Sequence, residues 1–429
     1  MSLFEFIGAL ATAVAVFGYI NHRFIHLPDT VGITAMGLLA SLGLAVVGRY
    51  VPGAVDWATE FSRRLDFPDV VFHGLLSILL FAGSLHINIS DLARQRLPVV
   101  VLATVGVLLS TALVGLASFW VLSAFGSHIP ISYCFLFGAL ISPTDPIAVL
   151  GVLKTAGVPK ALEMVFSGES LFNDGTGVVL FLVLVGIVTG TSEPTFATIG
   201  GLLAKEVLGA LVVGLLVGYG AFFMLKGVDS YAVEILITLA VATGGYSFAE
   251  RLHVSAPLAV VVMGLVIGNH GARSAMSHKT RQHLFPFWEL LDEILNLMLF
   301  GLIGIKLLAL ASDDISWYEA VALVPVVLLA RFISVGLPKL ALRPWLTPRP
   351  NVVKVMTWGG LRGGISIALA LSLPDFDGRL LFVQATFAVV LFSLLVQAPT
   401  LGWALKKFGV STDKDAEADD GAKAPRSPR

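Results

Sequence analysis

Residues 135–153 read FLFGALISPTDPIAVLGVL, an apolar stretch that carries Asp145 near its centre with Pro143 and Pro146 around it. Each proline removes a backbone donor and disfavours helical geometry in the residue before it. A helix over this stretch must therefore break in the middle of an apolar segment. Broken backbone at membrane depth survives only where protein or a wet cavity surrounds it. The stretch thus predicts a buried polar site inside a membrane protein.

The composition of the whole chain indicates the same class. Its 429 residues are 56% hydrophobic and 13% charged, with a mean hydropathy of +0.87. Soluble proteins carry about 25% charged residues, so a water-soluble enzyme is excluded as the starting class. A formal net charge of −1 gives no support to a nucleic-acid partner. The single cysteine, Cys134, excludes an intrachain disulfide and a cysteine metal cluster.

Long stretches without Arg, Lys, Asp or Glu mark the membrane spans, each of which needs about 20 mostly apolar residues. The sequence predicts thirteen helices, near residues 3–21, 29–48, 69–87, 98–125, 131–153, 160–190, 198–225, 231–249, 253–269, 284–310, 315–338, 351–373 and 379–405. Residues 1–410 then form one transmembrane domain. The charged, proline-bearing residues 411–429 are expected to be a disordered cytoplasmic tail.

The Lys and Arg residues of the loops predict the orientation, because cytoplasmic loops carry an excess of them. The loops after odd-numbered helices hold thirteen and the loops after even-numbered helices hold five. We therefore expect the N-terminus outside and the C-terminus in the cytoplasm. The first apolar stretch carries Glu5 and has no basic segment ahead of it, which favours a transmembrane helix over a cleavable signal peptide.

The sixth predicted helix contains GESLFND, residues 168–174, with four polar side chains in one and a half turns. At about 100° per residue, Ser170 and Asp174 share one edge of this helix. Glu169 and Asn173 share the adjacent edge. The carboxylates of Glu169 and Asp174 are both far from water, so they cannot both be charged unless neighbouring groups compensate their charge. We expect one edge to face a cation site that is protonated when empty, and the other to face a basic partner; a polar patch that only joins helices is the alternative.

Two arginines inside predicted spans are candidates for that partner. Arg362 lies in WGGLRGGISIALAL of the twelfth helix, about 17 Å from either end and too deep to reach water easily. Its flanking glycines would loosen the helix or admit another backbone. Arg331, in LLARFISVG of the eleventh helix, is about 10 Å from the cytoplasmic end. It either snorkels to the surface or pairs with a buried carboxylate.

The interrupted fifth and twelfth helices are seven positions apart, so they cross the membrane in opposite directions. Such a pair is typical of an inverted-repeat secondary transporter with its site near the midplane. We predict that helices 1–6 and 8–13 are the repeats and that helix 7 links them. The Asp145 carboxylate and carbonyls freed near Thr144 would be hard oxygen ligands for a small cation. The alternative is a proline kink in which Asp145 only caps the second half-helix.

Three linked motifs resemble a known family. They are Ser142-Pro-Thr-Asp-Pro-Ile-Ala-Val149, Gly168-Glu-Ser-Leu-Phe-Asn-Asp-Gly175 and Gly359-Gly-Leu-Arg-Gly-Gly364. In this order and spacing they closely resemble bacterial Na+/H+ antiporters of the monovalent cation/proton antiporter family, which is related to the eukaryotic sodium/proton exchangers. The resemblance covers nearly the whole chain, including LNLMLF around Asn296 and LAR at Arg331. It implies thirteen helices, a homodimer, and an ion-binding core that moves against a dimer scaffold.

The resemblance also implies a role for each polar residue. The residues that would bind Na+ and the proton are Asp174, Asp145, Thr144 and Ser170. The residues that would support the site are Glu169 with its partner Arg331, Asn173 beside them, and Arg362 at the crossing of the broken helices. The pair Asn173-Asp174 is similar to electroneutral exchangers, whose electrogenic relatives carry two aspartates. No cofactor is implied beyond the transported ions.

The predicted function is antiport of Na+ or Li+ against H+ in the bacterial inner membrane, serving pH homeostasis. One buried carboxylate can hold a proton or a cation but not both, so the two ions compete for Asp174. Exchange of K+ or of several monovalent cations is the main alternative, and a passive cation channel is a more distant one. An intramembrane hydrolase is disfavoured, because Phe172 stands where a nucleophile elbow needs glycine.

Overall fold

The computed structural model describes residues 3–50, 67–191, 195–310, 317–341 and 351–408. Helices occupy most of these ranges, and each of the thirteen predicted segments coincides with a helix or with two half-helices. The predicted all-α membrane fold is thereby confirmed. The predicted tail, residues 411–429, lies outside the described residues, as do several of the loop residues that predict the orientation.

We label the helices by the thirteen predicted segments, with a and b for the halves of a broken one. They are α1 (Leu3–Ile20), α2 (Asp29–Tyr50), α3 (Phe67–Leu85), α4 (Arg96–Ala124), α5a (Ile131–Ile141), α5b (Ile147–Thr155), α6 (Lys160–Val188), α7 (Phe196–Lys226), α8 (Tyr231–Arg251), α9 (Ala256–Ser274), α10 (His278–Leu310), α11 (Trp317–Ala341), α12a (Val352–Trp358), α12b (Gly364–Leu371) and α13 (Arg379–Phe408). A π-helical turn, Asn21–Ile25, extends α1, and a short helix, Ile89–Arg94, precedes α4.

In the described ranges, eight helices are long and apolar enough to cross a membrane: α3, α4, α6, α7, α8, α9, α11 and α13. The segments Ile7–Ile25 and Asp29–Gly43 meet the same criterion together, as a pair bent by 110°. α5 and α12 consist of short halves, and α10 carries Glu289, Asp292 and Glu293 within its length. Thirteen membrane crossings therefore remain a prediction.

Both predicted breaks are present. α5a ends at Ile141 and α5b begins at Ile147, so the gap spans both prolines. α12a ends at Trp358 and α12b begins at Gly364. The two gaps touch, because the Asp145 N–H donates a hydrogen bond of 2.8 Å to the Leu361 carbonyl. The broken helices therefore cross each other at their non-helical segments.

Four helix contacts recur when each helix is exchanged for the one seven positions away along the chain. The contact of α3 with α9 recurs as that of α10 with α2, and the contact of α4 with α5a recurs as that of α11 with α12a. The contact of α5 with α6 recurs as that of α12 with α13, and the contact of α1 with α2 recurs as that of α8 with α9. This is the arrangement expected if α1–α6 and α8–α13 are repeats and α7 joins them.

The apolar interior contains two large clusters that meet at the crossing. The core cluster is built mainly on α4, α5a, α6 and α11–α13, where the Phe137 and Phe382 rings stack with centroids 5.0 Å apart. The scaffold cluster is built mainly on α3 and α7–α10, around the fully buried Trp288. Ile365, in the first turn of α12b, packs against both. The crossing therefore lies at the boundary between the two clusters.

Candidate functional site

Two polar side chains of α6 hold Thr144 in the α5 break. The Thr144 and Ser170 hydroxyl oxygens are 3.0 Å apart. The Asn173 amide donates to the Thr144 hydroxyl at 2.8 Å and accepts from the Thr144 N–H at 3.3 Å. All three residues are at most 2% exposed. The hydroxyl of Thr144 is thus fixed inside the protein, where no water competes for these hydrogen bonds.

Both candidate aspartates lie at the same place. Asp174, one turn beyond Ser170, is 6% exposed and lies within electrostatic reach of Asp145 and Arg362. Asp145 is partly buried, and its carboxylate lies where a side chain at Gly363 would be. Two carboxylates and two hydroxyls therefore gather at the α5 break. Such oxygen groups are the ligands that small hard cations prefer.

Glu169, on the other edge of α6, forms an ion pair with Arg331 of α11. The two guanidinium nitrogens lie 2.5 and 2.9 Å from the two carboxylate oxygens. The Arg331 side chain is 5% exposed and the Glu169 side chain is 1% exposed, so Arg331 does not snorkel to the surface. Gly360 lies against the Arg331 Nε and leaves it room. A bidentate pair of this geometry is the strong form of a charge-assisted hydrogen bond, and it fastens α6 to α11.

Arg362 joins the two breaks. It is 1% exposed, and its Nη1 donates to the Pro143 carbonyl at 2.7 Å and also to the Ser142 carbonyl. The expectation that the freed carbonyls near Thr144 would be ligands of a small cation is therefore wrong for the carbonyls of Ser142 and Pro143. The guanidinium supplies both the donors and the positive charge that the broken backbone needs.

Asn173 also differs from its expected position. The helical angles place it on the Glu169 edge, beside the basic partner, but its amide hydrogen-bonds Thr144 instead. Asn173 lies about 40° from Glu169 and about 60° from Ser170 around the helix, so its side chain can turn either way. Thr144 carries both a donor and an acceptor for the amide, and this match decides the direction.

The sequence interpretation missed Asp292 of α10, which lies within electrostatic reach of Asp145. A signal was present, because Glu289, Asp292 and Glu293 all fall inside a predicted membrane span, where ionisable residues are functional candidates. Asn296 follows Asp292 by one turn and is 2% exposed.

The whole-chain comparisons give the class of protein. A family model described as the transmembrane sodium/hydrogen exchanger matches residues 11–407. The chain therefore belongs to the sodium/hydrogen exchanger family, and the resemblance of the three motifs is confirmed.

The chain is similar to several bacterial relatives over nearly their full length. It is 45% identical over 407 residues to the Na(+)/H(+) antiporter NhaP of Pseudomonas aeruginosa, covering 93% of this chain and 96% of that protein. It is 35% identical over 391 residues to the Na(+)/H(+) antiporter NhaH of Halobacillus aidingensis, covering 90% of this chain and 93% of that protein.

The fold is also similar to a solved structure. The sodium proton antiporter MjNhaP1 from Methanocaldococcus jannaschii at pH 8 matches with a TM-score of 0.74, covering 95% of this chain and 99% of that chain. The sequence identity is 21%, so this likeness supports the fold and not the residue roles.

Proposed function

We propose that this protein exchanges Na+ or Li+ for H+ across the membrane, one ion for one, by alternating access. The observation that carries the proposal is the group of oxygen ligands at the crossing of two broken helices. The names of the relatives, which are Na+/H+ antiporters, support sodium as the cation. The protein is then a carrier and neither an enzyme nor a passive channel.

Each site residue has a proposed role. The cation and the proton compete for Asp174, and the remaining ligands of the cation are Asp145, Thr144 and Ser170. The residues that hold this site in place are Asn173, the pair Glu169 and Arg331, and Arg362. Their contacts support these roles, because Asn173 orients the Thr144 hydroxyl and Arg362 binds the backbone on which Asp145 is mounted.

The formal charge at the crossing supports a one-for-one exchange. α5 and α6 bring three carboxylates, those of Asp145, Glu169 and Asp174, while α11 and α12 bring the guanidinium groups of Arg331 and Arg362. Three negative and two positive charges leave one negative charge on α5, α6, α11 and α12, and Asp292 of α10 lies outside this group. A single Na+ or a single H+ makes this group neutral. Since net charge is costly away from water, the two neutral forms are the ones that change sides.

The boundary between the core and scaffold clusters supports the alternating-access step. α6, which carries Asp174, contributes Leu171 to the scaffold cluster and Val178, Leu180 and Phe181 to the core cluster, and the crossing lies where the two clusters meet. Movement of one cluster along the other would open the site to each side in turn. A carrier that moves only with the site filled must return one ion for each ion that it releases.

The remaining features of the proposal concern placement in the membrane. The excess of Lys and Arg in alternate loops supports an external N-terminus and a cytoplasmic C-terminus. Similarity to bacterial relatives supports the plasma membrane of a bacterium. A homodimer, two inverted repeats and a role in pH homeostasis belong to the same proposal.

The proposal is tested in everted vesicles from cells that lack their own exchangers. An acidic interior is reported by a pH dye, and Na+, Li+ and K+ chloride are added in turn from neutral to alkaline pH. We expect the dye to recover with Na+ or Li+. Because H+ and Na+ compete for one carboxylate, the apparent KM for Na+ should rise as the pH falls.

The substitution Asp174→Asn tests the site in the same vesicles. We expect it to lower exchange by at least about 100-fold, because an amide cannot take up a proton or neutralise a cation. The matched control is Asp375→Asn, the same chemical change at a side chain that is 95% exposed. Sodium-driven proton movement retained in Asp174→Asn would refute the assignment. Recovery with K+ would widen the substrate range, and no recovery with any of the three salts would favour the channel.

A further inference from the structure

One face of α10 is directed at the crossing. Asp292, Asn296 and Leu299 follow one another at helical spacing and share this face. Leu299 packs against Gly364, the first residue of α12b. Gly363, the neighbouring residue, lies against the Asp145 carboxylate. The contact at Leu299 therefore places Asn296 and Asp292 beside the same crossing that holds Asp145.

Asn296 is buried, and its amide lies beside the Asp292 carboxylate without forming a hydrogen bond of good geometry. It is 2% exposed, and neither its amide nitrogen nor its amide oxygen makes a hydrogen bond within the described part of the chain. An unpaired buried polar group costs about 1–3 kcal/mol, and most such groups in proteins are paired. An amide kept in this state on the boundary of two clusters indicates a ligand that it meets during the transport cycle.

Asp292 gives this amide a charged neighbour. Its side chain is partly buried, lies next to the Asn296 amide and is within electrostatic reach of Asp145. The carboxylates of Glu289 and Glu293, on the same helix, are exposed. Asp292 is thus the carboxylate of this group that faces inward with Asn296.

We propose that Asp292 and Asn296 form a transient cation subsite on α10, which Na+ or Li+ occupies on its way to or from Asp174. The ligands are the Asp292 carboxylate and the Asn296 amide oxygen. This inference deepens the proposed function and rests on it. The subsite raises the local concentration of cations beside Asp145, as a charged cleft with low-dielectric walls does. It also explains why the buried amide forms no hydrogen bond of good geometry within the described part of the chain.

The role of the Asp292 carboxylate is tested by comparing Asp292→Asn with Glu293→Gln. The second variant removes a carboxylate from the next residue, on the exposed side of the same helix. Exchange is measured in everted vesicles against Na+ concentration. We expect Asp292→Asn to raise the apparent KM for Na+ by about five- to tenfold, the effect of one charge acting over a partly buried path. The maximal rate should change by less than about twofold. Glu293→Gln should change the KM by less than about twofold, because an exposed charge is screened.

The amide is tested by Asn296→Leu and Asn296→Asp. Asn296→Leu removes two unpaired polar atoms, so we expect a thermal midpoint in detergent equal to or above that of the unaltered protein, with a raised KM for Na+. Asn296→Asp keeps an oxygen ligand and should retain a KM within about threefold of the unaltered protein. A residue that is merely structural would lose stability in Asn296→Leu and leave the KM unchanged.

The outcomes separate the two proposals. If the unaltered protein exchanges no cation, the proposed function fails. If it exchanges Na+ and Asp292→Asn behaves like Glu293→Gln, the subsite is refuted while the function stands. If Asn296→Leu does not fold, Asp292→Asn still decides the question, because a KM equal to that of the unaltered protein in this variant would refute the subsite.

Discussion

The two helix breaks meet at one point but carry opposite chemistry. The α5 break is made by prolines and presents Thr144 and Asp145, which offer oxygen atoms. The α12 break is made by glycines and presents Arg362, whose guanidinium donates to the α5 backbone. One break therefore needs a positive charge and the other supplies one permanently. Of the two breaks, the α5 break is therefore the one that fits the proposed site of the mobile cation.

The helices that follow the breaks differ in the same way. α6 carries SLFND from Ser170 to Asp174, and α13 carries SLLVQ from Ser393 to Gln397. Gln397 donates to the Trp358 carbonyl at 3.0 Å and accepts from the Ser393 hydroxyl at 2.9 Å. The neutral amide is thus satisfied by the protein itself. Where α6 has the carboxylate of Asp174, α13 has an amide that is already paired.

The largest effect should come from breaking the buried ion pair between Glu169 and Arg331, which lies close to both breaks. We expect Glu169→Ala or Arg331→Ala to lower the free energy of unfolding by about 3–5 kcal/mol, because each leaves an unpaired buried charge. Thermal unfolding in detergent and protein yield measure this. The double variant Glu169→Leu with Arg331→Leu should regain most of the loss. Normal stability in both single variants would contradict the ion-pair role.

A smaller effect is expected when the guanidinium between the breaks is removed. Arg362→Ala leaves the Ser142 and Pro143 carbonyls without their donor and should lower the free energy of unfolding by about 2–4 kcal/mol. Exchange should fall by at least about tenfold, because the α5 backbone that carries Asp145 loses its support.

The control for this variant is Arg362→Lys, which keeps the charge but loses the planar fork of donors. It should recover part of the stability and part of the exchange rate. If Arg362→Ala unfolds at the same temperature as the unaltered protein, the two breaks do not depend on this residue.

The smallest effects should come from one substitution made at corresponding places, Ser170→Ala and Ser393→Ala. Each removes one hydroxyl and should cost about 1 kcal/mol of unfolding free energy. Only Ser170→Ala should raise the KM for Na+, by about three- to tenfold, since its hydroxyl is a proposed ligand. Equal KM values in the two variants would remove Ser170 from the site.

Much of this arrangement could be predicted from the sequence, because few structures accommodate a charged residue or a proline inside an apolar membrane span. Pro143 and Pro146 predicted the α5 break, and the position of Arg331 in its span left two outcomes, snorkelling or a carboxylate partner, of which the structure has the second. Two features could not be predicted: the direction in which the Asn173 side chain turns, and the hydrogen bond from Arg362 to the Ser142 carbonyl. Both depend on which atoms of another helix come within hydrogen-bond distance, and that is set by tertiary packing.

Asp292 was missed for a different reason. Its helix contains three carboxylates within five residues, and periodicity alone does not say which of them faces inward. The contact between Leu299 and Gly364 decides this in the folded protein. The similarity of SLFND to SLLVQ also becomes meaningful only once the two breaks are known to correspond.

The bond between the breaks bears on how such a protein can evolve. The hydrogen bond from Asp145 to Leu361 joins backbone atoms, and every residue except proline supplies the same backbone donor and acceptor. Mutation can therefore alter the ligands around the crossing without dissolving the crossing itself. The crossing and the side chains around it are thus held by different atoms, so a substitution at one of those side chains can change the site while the crossing is kept.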